Sequence, residues 1–520
     1  MEHQFGEKSM AGYAILCYNI TSVLLGRTSF RLGFLGQEME CPSDIKQKRS
    51  DDMTALLRRF FSTEFMTSHS QRQGEVPGTY EAYRTALQIA LPSMSEAFLV
   101  SLISMVDTIM VSSVGTEAIA AVALCTQPRF AIITPVLALN VAVTSIVARR
   151  KGEGNATSAG HCLRQGIVLS FIISFAISAL AMYFRREILW FMGAQADTIE
   201  PATRYLEYIL VGIPPFCVSA TICAAQRGAG NTRIAMRVNV VANLVNIVFN
   251  YLLIGGNFGF PRLETQGAAI ATTIGWVVGF FLALFSVARR DSFLTIRSKE
   301  GWRLEKQTLL PMYQVASGAF VEQAFVRIGI ITYSKLVAGL GTVMLAANTI
   351  GMNIVSMSFS IGDGLGVCAS SLVGQNLGKK RPDLAEMYGK VCSRIAAVLC
   401  SIIFLVFVLR GRWIFSLFSN DPAIVQVSEA IMVIISITTM GQAIQLVYMG
   451  SLRGAGDTRY TAVVSMVCLM ILRPGLAWLL TYPAKMGLIG AWLGFLADQY
   501  MRLLLTYLRF KGGKWMSIKL

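Results

Sequence analysis

The chain has 520 residues, 54% of them hydrophobic and only 15% charged, with a mean hydropathy of +0.55. That is more apolar surface than a water-soluble fold can bury, so the protein belongs in a bilayer. Lys and Arg number 46 against 30 Asp and Glu, a net charge of +16, but the surplus sits in alternate connections between apolar runs, which is a topology signal and argues against a nucleic-acid partner. There is no HExxH, no nucleotide-binding loop and no nucleophile elbow, the ten Cys form no CxxC and the three His no cluster; nothing supports an enzyme, a cofactor or a structural metal.

Residues 1 to about 80 form a polar amino-terminal extension, expected to be poorly ordered, with one apolar stretch, AGYAILCYNITSVLL, at 11–25. It is too short to span a membrane and reads as a weak targeting segment, a surface-lying helix, or an extension upstream of a start at Met53 or Met66. Beyond it lie twelve runs of roughly 20 apolar residues, the length that crosses a hydrocarbon core of about 30 Å. They fall near 87–112, 118–148, 162–184, 202–225, 234–255, 266–288, 310–336, 343–372, 388–409, 423–449, 460–482 and 486–509. None alternates like a barrel strand, and their internal Gly and Pro are tolerated in bundled membrane helices. The fold class is therefore all-α: a polytopic membrane protein of twelve transmembrane helices.

Basic residues crowd every second connection: Arg149, Arg150 and Lys151; Arg227 and Arg233; the linker from about 289; Lys379, Lys380 and Arg381; Arg453 and Arg459; Lys511 and Lys514. The positive-inside rule then places these loops and both termini in the cytoplasm, on a multi-pass protein of the cell membrane. Two of the loops are nearly identical, RGAGNTR at 227–233 and RGAGDTR at 453–459, separated by 226 positions. The same offset aligns Gln88 with Gln314, Glu96 with Glu322, Ser145 with Ser371 and Gly152 with Gly378. Each half holds six spans, an even number, so the halves are parallel repeats, an amino-terminal lobe over 81–300 and a carboxy-terminal lobe over 301–520. A cleft between two such lobes suits alternating access. In each RGAG loop the glycines permit a tight turn, Asn231 or Asp457 with the following Thr can cap the next helix, and the arginines are expected to hold the turn at headgroup level.

MVDTIMVSSVGTEAIAAV, the paired RGAG loops, LAANTIG, SSLVGQNLGKKRPD and QGAAIAT follow one another along the chain, and in these motifs and their order the chain resembles the multidrug and toxic compound extrusion (MATE) family over about residues 80–510. The resemblance implies an antiporter that exports amphipathic, often cationic, drugs or metabolites in exchange for inward H⁺ or Na⁺, without a cofactor. A monomer among membrane lipids is expected. A lipid-linked precursor flippase of the same superfamily is the alternative, although such relatives commonly have fourteen spans and a basic cavity.

An ionisable side chain inside a span is costly and marks a candidate site. Asp107 faces Tyr333 across the repeat, so the acid is present in one lobe only. The resemblance makes Asp107 a cation-coupling residue, with Pro92, fifteen positions earlier, as the hinge of its helix. In the fifth span Asn239, Asn243, Asn246 and Asn250 follow at steps of 4, 3 and 4, one helical face. The first two read as interhelical glue; Asn246 and Asn250 match family positions that often read Asn and Asp, and Thr272 matches a further ligand position. With Asn250 in place of an acid, H⁺ and Na⁺ both remain open, and any Na⁺ would sit at Asp107 and Asn246. Glu322, Asp363 and Tyr333 are possible cleft-lining residues. Symmetry favours a structural role for Glu96 and Glu322, an ion pair between Glu96 and Arg129 would need helix tilt, and Asp498 with Arg502 reads as a satisfied pair. Arg327 and Arg473 are further intramembrane charges.

Overall fold

Where the two halves of the chain cross, glycine sets the spacing. The computed structural model describes residues 60–66, 72–112, 114–289, 293–297, 302, 304–418, 422–518 and 520. The apolar stretch at 11–25 and Met53 lie outside the described residues; Phe61–Leu520 form one unit. Among the described residues every regular element is helical. The long helices are α1 (Thr79–Ser112), α2 (Thr116–Gly152), α3 (Ala156–Tyr183), α4 (Ile199–Gly228), α5 (Thr232–Gly255) and α6 (Glu264–Ala288), then α7 (Lys306–Ala338), α8 (Thr342–Gly378), α9 (Pro382–Ser416), α10 (Pro422–Ala455), α11 (Thr458–Thr481) and α12 (Gly487–Lys511). The twelve runs read from the sequence each fall in one of them. A short helix, Arg185–Phe191, joins α3 to α4.

Eleven of these helices, α1 to α11, are long and apolar enough to cross a membrane. α12 is not among them, because it carries charge inside: Asp498, fully shielded from solvent, accepts from Arg473 at 2.6 Å and Arg502 at 3.0 Å. The predicted Asp498 and Arg502 pair is thus joined by a third residue from α11, whose helix relaxes into a π turn over Met466–Leu472 immediately before Arg473. Pairing is what makes such charges tolerable away from water.

Lipid tails are as apolar as leucine, so helices in a bilayer associate through close packing and hydrogen bonds rather than through hydrophobic burial. The contacts obey that rule and repeat at the 226-residue offset. A Cβ on Gly152 would overlap the carbonyl of Gln375, and one on Gly378 would overlap the carbonyl of Arg149, its repeat counterpart. The two glycine Cα atoms therefore meet across the pseudo-twofold axis between α2 and α8. Within the halves, Thr232 Oγ1 donates to the Ile89 carbonyl at 2.9 Å, and Thr458 Oγ1 to the Val315 carbonyl at 2.9 Å. α4 and α10, which end at the two RGAG loops, are the most buried helices.

The part of the amino-terminal extension that is described packs against the second half. Lys390 Nζ donates to the Met66 carbonyl at 2.7 Å, the Gln73 amide to Asp383 at 3.3 Å, and Arg381 to the Glu75 carbonyl at 3.0 Å.

Candidate functional site

A cavity of about 1140 Å³ lies between the halves, walled by α1, α2, α4, α5 and α6 on one side and by α7, α8 and α10 on the other. Hydrogen bonds close it at the face that bears the basic loops. Ser145 Oγ donates to the Arg453 carbonyl at 2.6 Å, while Ser371 Oγ and Gln375 Nε2 donate to the Gly228 carbonyl at 3.2 and 3.0 Å. Ser101 and Ser360 meet at 2.9 Å near mid-helix.

The RGAG loops supply much of this closure, and more than a turn. Gly230 and Gly456 adopt φ of 86° and 89°, a conformation that glycine enters without strain. Gly228 and Gly454 instead permit close approach, because a Cβ there would meet the carbonyls of Thr144 and Ser370, themselves repeat partners. The capping expected of Asn231 and Asp457 is not made; neither side chain caps its helix, and Asp457 pairs with Arg509 at 2.8 Å. The second arginines, Arg233 and Arg459, are exposed, as expected of headgroup anchors. The first arginines depart from that expectation. Arg227 turns inward to Glu96 at 2.8 Å, and Arg453 turns inward to Glu322, which also accepts from Thr461 at 2.7 Å. Glu96 therefore pairs with Arg227, which the end of α4 brings to it, and not with Arg129. The predicted glue residue Asn239 completes the first cluster by donating to Glu96 at 2.6 Å; Asn243 bonds back to its own helix at the Asn239 carbonyl. Sequence reasoning missed the role of Arg227 and Arg453, although the signal was present: two Glu and two Arg recur at one offset.

Of the three residues expected at the cleft, Asp363 lines the cavity, within electrostatic reach of both Arg227 and Arg453. Glu322 and Tyr333 do not. They are 1% and 2% exposed, behind the wall, where Glu322 is taken up by Arg453 and Thr461 and Tyr333 packs toward Phe495.

Farther from the basic face, four predicted residues come together. Asn250 Nδ2 donates to Asp107 Oδ1 at 2.7 Å. The Asn246 amide, oriented by its neighbours, donates to the two Asp107 oxygens at 2.9 and 3.0 Å and accepts from Thr272 Oγ1 at 3.2 Å and the Thr272 amide at 3.1 Å. Asn250 Oδ1 is buried and has no hydrogen-bond partner. An orphaned acceptor beside a carboxylate is a place where a proton on Asp107, or an oxygen-seeking cation, would be received. α1 runs through Pro92 without interruption, although that residue removes one backbone hydrogen bond and so weakens the helix at that point.

Comparison with known proteins follows the same division. The MatE family model matches residues 92–252 and again 319–479, one match in each half. A Thermotoga maritima protein named as a probable multidrug resistance protein, NorM, is 28% identical over 446 residues, covering 85% of this chain and 94% of its own. Among solved structures, a variant of the Vibrio cholerae MATE transporter VcmN superposes with a TM-score of 0.77 at 19% identity, over 83% of this chain and 97% of that one. A multidrug resistance MATE transporter in an outward-facing conformation gives 0.77 at 20%, over 83% and 97%. With the family model met in both repeats and the fold shared over almost the whole length of its relatives, the chain belongs to the MatE family: it is a multi-pass membrane transporter of the multidrug and toxic compound extrusion type, not an enzyme.

Proposed function

We propose that the chain is a secondary antiporter that exports amphipathic organic compounds across the cell membrane, with both termini and the RGAG loops in the cytoplasm, driven by inward movement of H⁺ or Na⁺. The single observation that carries this reading is Asp107 in its amide cage, opening onto the same cavity that would hold the substrate. The carboxylate is bonded only by neutral donors, so its charge is uncompensated at close range and is available to a cation. Arrival of H⁺ or Na⁺ there neutralises it, weakens its hold on a cationic substrate, and alters the bonding of α1 to α5. Substrate and coupling ion then compete for one charge, as exchange requires.

The two lobes, 81–300 and 301–520, would rock about the axis near Gly152 and Gly378. The hydrogen-bonded closure at the basic face supports assignment of this conformation as outward-facing. Inward opening must part Ser145 from Arg453 and Ser371 from Gly228. The pairs Glu96–Arg227 and Glu322–Arg453 lie within single lobes and would travel with them, while Asp363 has Arg453 in its own lobe and faces Arg227 across the seam. Asp363 is thus the acid whose surroundings change most on opening.

The test is transport of a cationic dye by the full chain in proteoliposomes under separately imposed proton and sodium gradients. One gradient should drive dye uphill and the other should not. Equal, purely downhill movement under both would refute coupling.

A further inference from the structure

We propose that Arg473 is a built-in cation: its guanidinium permanently fills the second lobe's counterpart of the Asp107 site, so that exchangeable ions bind in the first lobe only. The inference rests on the coupling role given to Asp107 above and deepens it.

The repeat locates the counterpart. At the 226-residue offset Asp107 corresponds to Tyr333, Asn246 to Leu472 and Asn250 to Leu476. In the sixth helix of each lobe, where Gly267 and Ala268 align with Gly490 and Ala491, Thr272 corresponds to Phe495 and Gly275 to Asp498. The carboxylate, both amides and the hydroxyl of the first lobe are thus replaced by two rings and two leucines.

The second lobe nonetheless brings the same positions together. Tyr333 and Phe495 are buried, with ring centroids 6.3 Å apart. Beside them lies Arg473, one residue beyond the counterpart of Asn246 and itself buried. Its guanidinium carbon is 4.4 Å from the Phe495 centroid and 6.0 Å from that of Tyr333. Ring faces attract a cation, and more strongly where water is excluded.

Helix geometry shows how the exchange of roles is made. In the first lobe Gly275 lets α6 close on α5, since a Cβ there would meet the Ala242 carbonyl and the Asn246 side chain. In the second lobe that position is Asp498, and α11 widens into the π turn Met466–Leu472 that ends where Arg473 begins. An extra residue in a helix turns everything after it by about 100°, which brings Arg473 to the place that Asn246 holds in the first lobe. Asp498 then accepts from it at 2.6 Å.

Pairing alone does not call for Arg473. Arg502, four residues along α12, already donates to the same Asp498 oxygen at 3.0 Å, so the carboxylate is neutralised within its own helix. Arg473 leaves this cluster with one positive charge more than a completed pair. A guanidinium does not give up its proton in a protein, and this one is tethered, so the site cannot exchange its cation.

Arg473→Ala deletes the atoms of N-ethylguanidinium, and that ion is the probe. In detergent the purified variant should melt about 5 °C below wild type. Added ethylguanidinium should restore at least half of the loss in a saturable way, whereas ethylurea, a neutral molecule of similar shape, should restore none. Equal restoration by the two, or none by either, would overturn the proposal. A second pair of variants tests the position: on an Asp498→Asn background, Tyr333→Asp should melt higher than Tyr333→Asn, because an acid at the counterpart of Asp107 would face the guanidinium. Equal melting would place Arg473 outside that site. In proteoliposomes with the membrane potential held at zero, wild type should concentrate a singly charged cationic dye in direct proportion to the gradient of the driving ion. Concentration that rises as the square of that gradient would reveal a second exchangeable ion and contradict the proposal. If the melting results come out as stated but no gradient moves the dye, the built-in cation stands and the exporter reading fails.

Discussion

Asp107→Asn should abolish gradient-driven export while leaving the protein folded and able to bind substrate. An amide has nearly the shape of the carboxylate and can still accept from Asn250, whose Nδ2 lies 2.7 Å from Asp107 Oδ1, so the helices α1 and α5 keep their contact. What disappears is the charge proposed to take up a proton or Na⁺, and with it the proposed link between ion flow and substrate release. Uphill dye transport in proteoliposomes should fall to the level of empty vesicles, while binding of the cationic dye in detergent should be weakened but still measurable and no longer respond to pH or sodium. Asn250→Asp should act in the opposite sense, because a second carboxylate beside the first raises the pair's affinity for H⁺ or Na⁺. Its export should persist toward more alkaline external pH, or toward lower sodium, than in wild type. Full-rate uphill export by Asp107→Asn would send the search for the coupling acid to Asp363.

Glu322→Gln should produce a large loss of stability. Glu322 is 1% exposed and takes both Arg453 and Thr461. Removing its charge leaves the half-buried Arg453 guanidinium without its hydrogen-bonded carboxylate, with only the more distant Asp363 to offset it; breaking a buried pair costs up to about 3–5 kcal/mol. Glu153→Gln is the control: it breaks the exposed pair with Arg150 at 2.8 Å, and such pairs contribute about 0–1 kcal/mol. Melting of the purified variants in detergent should show a clear fall for the first and almost none for the second. Replacing both partners by apolar residues of similar volume, Glu322→Leu with Arg453→Met, should restore most of the melting temperature. Similar melting of Glu322→Gln and Glu153→Gln would mean that the pair does not carry the load assigned to it.

The sequence made twelve helices legible because length and hydropathy dominate in a bilayer, and made the repeat legible because one offset persists over many positions. It also brought Asp107, Asn246, Asn250 and Thr272 together, through the spacing of Asn on one helical face and the resemblance at Thr272. Depth was harder to read. Arg227 and Arg453 sit beside polar loop residues and so look like surface anchors; only the packing of Gly228 and Gly454 against Thr144 and Ser370 draws their helix ends inward, within reach of Glu96 and Glu322. Periodicity says which face of a helix a residue occupies but not which neighbour covers that face. That is why Glu322 and Tyr333, expected at the cleft, lie behind its wall while Asp363 lines it. Arg473 shows the same limit, since its partner Asp498 is on another helix, 25 positions away.

In the proposed transport cycle the halves must part at the basic face. Glu153 and Lys379 are exposed on that face, each one residue beyond the Gly152 and Gly378 contact, and the eight cysteines among the described residues are all buried. With Glu153→Cys and Lys379→Cys in one chain, a short reducible thiol cross-linker joins the two lobes across the seam. Dye export in proteoliposomes should be near wild type before cross-linking, absent after it, and restored by reductant; export that continues at full rate with the lobes quantitatively cross-linked would contradict the account.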